Sequence, residues 1–205
     1  GELISHLPSL IMLDVEETDG GVLMVQALQL KPLELYVDPV AKPVDARLGA
    51  LMTYWRGKRQ GTAALPTRAD IRPGELISHL PSLIMLDVEE TAEKTPDFSV
   101  RLSGTALDDL FGGNYMGRKL EEILPAKRAW LARAALGLVV EHRRPMRFFG
   151  RLEFPSEPGS KIMIEALALP LSRPDGQVHM ILGEIVQLRA AAIASFPELC
   201  RPAAD

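Results

Sequence analysis

The chain has a single cysteine, Cys200, so no disulfide can form within it, and a reducing compartment is the expectation. Long apolar runs are missing as well. The longest, such as residues 80–86 and 136–140, fall far short of the roughly 20 residues that cross a bilayer, so no membrane span is expected. No basic start followed by an apolar core and a small-residue cleavage site is present, which points to a cytoplasmic chain. Positive charge is not in excess: the formal net charge of -4 gives no global attraction to nucleic acid. A Gly-x-Ser-x-Gly elbow, a His-Glu-x-x-His pair and a Ser/Cys–His arrangement are all lacking, and the acidic pairs Asp108/Asp109 and Glu121/Glu122 read as solvated helix faces. Nothing in this wording supports catalysis, so the chain is not expected to be an enzyme.

What is there is an ordinary globular composition, 47% apolar and 24% charged over 205 residues, which fits one domain plus an extension. Residues 74–91 read GELISHLPSLIMLDVEET, and residues 1–18 repeat them without one substitution. Duplicated segments ordinarily diverge at surface positions that packing does not constrain, so identity expects either a very recent duplication or a chain assembled with one. Only the second copy is continued by a strand at residues 98–104 and the glycine-rich helices. The first is expected as a detached duplicate that pairs at a sheet edge, docks on a neighbouring protomer or stays disordered.

Taken in order, Asp19-Gly20-Gly21 is a turn that could fold the first copy and residues 22–30 into a hairpin. Pro32, Pro39 and Pro43 break residues 31–43, which read as a linker or extended arm. In residues 45–58, Leu48, Leu51, Met52 and Trp55 fall at i, i+3, i+4 and i+7, predicting a helix whose stripe either covers a strand or forms a partner interface. The second copy predicts a helical turn ended by Pro81, then a strand with Ile84, Leu86 and Val88 on one face and Leu83 and Met85 on the other. Both faces are apolar, so both need cover. Phe98, Val100 and Leu102 alternate with polar residues as in a half-buried strand. Short helices flank Gly112, Gly113 and Gly117, Pro125 opens a long helix over 126–141, and 146–154, 161–171 and 178–188 predict three hairpin strands. Arg143, Arg144, Arg147 and Arg151 read first as exposed strand positions and second as an anion patch. The fold class is thus α+β: a five-stranded antiparallel sheet with short helices and one long helix on one face, preceded by an N-terminal helix. Residues 1–44 are an extension, 45–189 the domain and 190–205 a tail.

The element order and the local wording resemble a PAS domain. Tyr54-Trp55-Arg56-Gly57-Lys58-Arg59, Leu65-Pro66-Thr67-Arg68-Ala69-Asp70, Phe98-Ser99-Val100-Arg101-Leu102-Ser103-Gly104-Thr105 and Gly117-Arg118-Lys119-Leu120 are similar to a bacterial PAS subfamily long catalogued as of unknown function. The resemblance covers roughly residues 46–188. It implies a sensory or interaction module, not itself an enzyme, that acts through a homodimer or a signalling partner.

The expected ligand space lies between sheet and helices. Val100, Leu102, Phe111, Tyr115, Met116 and Trp130 are its candidate walls, and His179, Ile181, Gly183 and Ile185 share a face of the last strand, with Gly183 leaving room. The alternative is that these side chains only fill a core, leaving an interaction module that works through the outer sheet face and the Leu48, Leu51, Met52 and Trp55 stripe. A small α+β-cup enzyme such as an isomerase is a third reading. The segment at residues 112–119 superficially resembles a phosphate loop, but its lysine comes one position late and no Ser or Thr follows. His142 lines up along the long helix with Leu131, Ala135 and Leu138, a geometry open to haem, and the resemblance implies that PAS haem sensors use a histidine there. Its place among Glu141, Arg143 and Arg144 before Pro145 equally suits a plain helix C-terminus. The remaining histidines show no metal spacing, and Cys200 in the tail disfavours a cysteinyl-flavin adduct.

Overall fold

The computed structural model describes residues 11–12, 15–17, 23–25, 28–30, 34–59, 61, 64–91, 96–153, 159 and 161–188. The expected turn at 19–21, most of the turn at 155–159, and the tail 190–205 with Cys200 lie outside them.

Two short strands, β1 (Ile11–Met12) and β2 (Val15–Glu17), come from the first copy of the repeat. β2 pairs with β3 (Leu23–Val25), and β1 pairs with β4 (Leu28–Leu30) at the edge of the main sheet. Of the two expectations for this segment, a linker or an extended arm, the structure shows the arm: it contains β5 (Glu34–Asp38), antiparallel to a strand of the domain proper. Its prolines bound the strand without interrupting it. Tyr36 stacks on Phe149 with ring centroids 5.3 Å apart, and Val37 is buried, so β5 is fastened by packing as well as by its ladder.

α1 (Ala46–Gly57) starts at Asp45, whose side chain accepts from the Arg47 N–H at 2.8 Å. Leu48, Leu51, Met52 and Trp55 are 0–3% exposed and pack on the sheet with Leu83, Met85, Leu167, Leu169 and Leu182. The reading of this stripe as a partner interface is corrected: it is core, because the sheet face beneath it is apolar and the stripe, with Leu65, Ile71 and Leu76, covers it. Trp55 Nε1 donates to the Pro170 carbonyl at 3.0 Å, which satisfies the one polar group the stripe buries.

After α1 the second copy makes two short 3₁₀ turns, Pro73–Glu75 and Leu80–Ser82, and continues as β6 (Leu83–Glu90). β7 (Pro96–Ser103) pairs with β6. Then come α2 (Thr105–Phe111), α3 (Leu120–Ile123) and the long α4 (Ala126–His142). β8 (Met146–Glu153), β9 (Lys161–Ser172) and β10 (Val178–Gln187) close the sheet. The order is β1-β4-β5-β8-β9-β10-β6-β7, every pair antiparallel, so the five expected strands stand side by side and the N-terminal strands widen the sheet. A second apolar cluster, with Leu86, Phe98, Val100, Leu131, Ala135, Val139 and Ile181, lies on the opposite face under α3 and α4.

Two wholly buried carboxylates interrupt the α1 face. Glu165 on β9 accepts the N–H groups of Val44 and Asp45, each at 2.8 Å, and the guanidinium of Arg147. Arg147 also pairs with Asp38 on β5 at 3.1 Å. Arg147 is therefore corrected from an exposed strand position to a buried one, because its neighbours on both flanking strands supply the countercharge. Arg151 is exposed as expected, and Arg144 donates to the Pro39 carbonyl at 2.6 Å. Glu184 on β10 accepts from Ser82 Oγ at 2.7 Å and pairs with Arg47 at 3.0 Å and His79 Nδ1 at 2.8 Å. Together they fix where α1 enters and how the second copy's turn sits against it.

One glycine is demanded by close backbone approach. A Cβ on Gly104 would lie 2.1 Å from the Leu80 carbonyl oxygen and 2.4 Å from that of Pro81, and the Gly104 N–H donates to Leu83. The end of β7 thus rests directly on the second copy's turn. Gly104→Ala is expected to cost about 1–3 kcal/mol of stability, seen as a lower midpoint in urea unfolding; an unchanged midpoint would mean the turn gives way freely.

Candidate functional site

Between the sheet and α2, α3 and α4 lies a cavity of about 730 Å³. It exists because the side chains that face each other across it are small: Ala132 and Ala135 on α4, Ala166 and Ala168 on β9, and Gly183 on β10. Leu86, Val100, Leu120, Leu131, Phe148, Ile181 and Ile185 complete an almost wholly apolar wall. Gly183 pairs with Ile84, and a Cβ there would meet Ile84 Cγ2 at 2.8 Å, so the missing side chain lets Ile84 lie flat against the floor.

The structure brings together Val100, Phe111, Tyr115, Ile181, Gly183 and Ile185 from the expected set. It does not bring Leu102, Met116, Trp130 or His179. Ile84 pairs with Ser103, Met85 with Leu102, but Leu86 with Val100, so a bulge at Arg101 breaks the alternation. Past the bulge Leu102 turns to the α1 side, 37% exposed, and Ser103 takes the cavity position. A second bulge between Val178 and Met180 leaves His179 unpaired at the start of β10, off the end of the cavity. Burial, with the charge of Arg173, holds its imidazole below the ordinary histidine range. Met116 and Trp130 are 56% and 45% exposed, because Tyr115 and Leu131 beside them take the inward positions. His142 ends α4, exposed and outside the lining, so a haem held by it does not fit this cavity. The small inward residues of α4 and β9 went unread in the sequence; runs of Ala at inward-facing positions were the available signal.

Polar groups at the cavity are few and mostly committed. Tyr115 donates its hydroxyl to the Phe111 carbonyl at 3.2 Å, and Arg118 lies 5.7 Å from its ring centre. Arg128 donates to the Glu153 carbonyl at 2.7 Å and to its carboxylate at 3.2 Å. The Gly159 N–H, at 2.9 Å, holds the Glu153 carboxyl below the ordinary range against its partial burial, helped by Arg128 and Lys161. Among the described residues no group of three or more His, Cys, Asp or Glu could hold a metal ion, and no helix is long and apolar enough to cross a membrane.

Residues 45–186, more than half of the chain, match the profile of a family described as "PAS domain". The chain belongs to the PAS domain family. A PAS domain is in general terms a sensory and signalling module. Its segments that resemble the family prove to be largely structural here: Trp55 is core, and Thr67 and Asp70 cap the 3₁₀ turn between them with bonds of 2.8 Å. No curated protein matches the chain. Among solved structures, the PAS domain of Bordetella pertussis BvgS is similar at 16% identity and a TM-score of 0.45, covering 60% of this chain and 90% of that one. A Rhodobacter sphaeroides LOV protein is similar at 12% identity and a TM-score of 0.41, covering 59% and 71%. A sensory box histidine kinase/response regulator from Burkholderia thailandensis E264 is similar at 20% identity and a TM-score of 0.37, covering 61% and 90%.

The helical layer over the cavity is tied to the sheet by Asp97 on β7, which accepts from Lys119 at 2.6 Å and from the Phe98 N–H at 3.0 Å, with Arg133 of α4 at 3.9 Å. Burial pushes the Asp97 carboxyl up, but the Lys119 and Phe98 hydrogen bonds and the charges of Lys119 and Arg133 outweigh it and leave it below the ordinary range. A carboxylate depressed in the folded state adds stability that is present at neutral pH and lost as pH falls through its folded-state value. Asp97→Asn should therefore melt lower than the wild type at pH 7, with the difference shrinking as pH is taken below the ordinary aspartate range; a difference that stays constant on acidification would remove Asp97 from the pH response.

Proposed function

We propose that this PAS domain is a sensor for a small, largely apolar ligand held in the cavity, with the signal leaving through contacts to a second copy or a partner signalling chain. The observation that carries the reading is the 730 Å³ space itself, within the range that small-molecule sites occupy and nearly free of polar atoms. A module with a filled core would close it. Binding rather than turnover is supported by the state of the polar groups: the Tyr115 hydroxyl and the Glu153 carboxylate are already engaged within the protein.

β10 is the element through which occupancy would be felt. Ile181, Gly183 and Ile185 face the cavity, while Leu182, Glu184 and Val186 alternate with them toward α1. A ligand that moves this strand strains the Glu184 contacts to Arg47, Ser82 and His79, so α1 and the second copy's turn register it. The sensor function is not catalytic, and the cytoplasm is its place of action.

Native mass spectrometry of the purified chain should show a retained small molecule. Ala135→Phe, which fills the cavity centre from α4, should abolish retention and leave the circular dichroism unchanged. Hydrogen exchange should slow at α1 on ligand binding. A wild type that retains nothing and takes up no apolar compound would end the ligand reading in favour of an interaction module.

A further inference from the structure

The charged groups of the cavity lie at one end only, and that end is net positive. The N-terminal turn of α4 brings Lys127 and Arg128 to the rim, opposite Glu153 at the end of β8. Arg128 and Glu153 neutralise each other at 3.2 Å. Lys127 is exposed, and among the described residues its ammonium has no hydrogen-bond or ion-pair partner. Behind this rim the wall is aliphatic and aromatic down to Ile84 and Gly183, with Ser103 the one hydroxyl not already bonded to a neighbouring carbonyl.

We infer that the ligand is an anionic amphiphile: an alkyl or similarly apolar body lies in the cavity, and a carboxylate or related anion sits at the rim against Lys127. The inference rests on the cavity being a ligand site. Its physical basis is a division of labour. The apolar body supplies affinity in proportion to the area it removes from water, whereas the head group cannot follow it inward without losing its hydration, so it must stop where a cation and solvent meet. The Lys127 stem is long enough to fold toward or away from the opening, which suits a head group that enters last. A cationic head would meet Lys127 and be repelled.

Equilibrium dialysis of the full chain against dodecanoate, dodecanol and dodecyltrimethylammonium, each below its micelle concentration, separates tail from head. The expected order is anion, then neutral, then cation. Lys127→Glu should reduce dodecanoate affinity about three- to five-fold, leave dodecanol unchanged and narrow the gap to the cation, while Lys127→Gln should fall between. The preference for dodecanoate should weaken as salt is raised. Equal affinity for dodecanoate and dodecanol, with both lost in Ala135→Phe, would overturn the anionic head and keep the apolar sensor. Binding of all three unaffected by Ala135→Phe, or of none, would overturn both. Because Lys127 is exposed, its variants should keep the wild-type melting temperature, so a change in binding reads the rim and not the fold.

Discussion

Burying a carboxylate is costly unless every oxygen finds a donor, and this sheet buries two, Glu165 and Glu184, on adjacent strands under the same helix. The arrangement works because each takes donors from segments outside the sheet. Glu165 uses the N–H groups of Val44 and Asp45, which precede the first turn of α1 and have no partner inside it. Glu184 uses Arg47, two residues on within the first turn, together with Ser82 and His79 from the repeated segment. Hydrophobic burial alone would let α1 slide along an aliphatic surface. These two points, with the Trp55 bond to Pro170 at the far end, fix its position and direction.

The two faces of the sheet are consequently different in kind. The α1 side is packed with large side chains and pinned by charges; the α4 side is lined by alanine and glycine where it meets the long helix, and a space remains. That asymmetry separates the rigid half of the domain from the half that has room to accommodate something. It also explains why the stripe on α1, which is amphipathic in the manner of an interface, is not available as one.

Much of this was legible beforehand. The opposed faces of Leu83–Glu90 could be read because a strand's period of two leaves no choice of side once its ends are known, and the stripe at Leu48, Leu51, Met52 and Trp55 named its own cover. What could not be read were the two bulges. Each inserts one residue, which nothing in the side-chain pattern announces: past the first, Leu102 leaves the cavity and Ser103 enters, while the second leaves His179 without a partner in the ladder at the start of β10. The buried acids were equally opaque, since Glu165 and Glu184 are indistinguishable in sequence from surface glutamates until the donors that surround them are assembled from distant parts of the chain. The strand β5 was hidden by its flanking prolines, which bracket it and were read as breaking it.

The repeated eighteen residues now have two fates. Ile84 has a strand on either side of it, whereas its twin Ile11 pairs, among the described residues, with Leu30 alone. Because the two segments are identical, no difference in side-chain preference can have assigned them, and the decision falls to chain connectivity. Closing the loop from Ile84 to its partner Ser103 spans far fewer residues than closing one from Ile11 would, over four times fewer, and loop-closure entropy makes the nearer closure cheaper by on the order of 1–2 kcal/mol. The central slot is therefore a contest between equals settled by distance along the chain, and the outcome places the more local copy in the core.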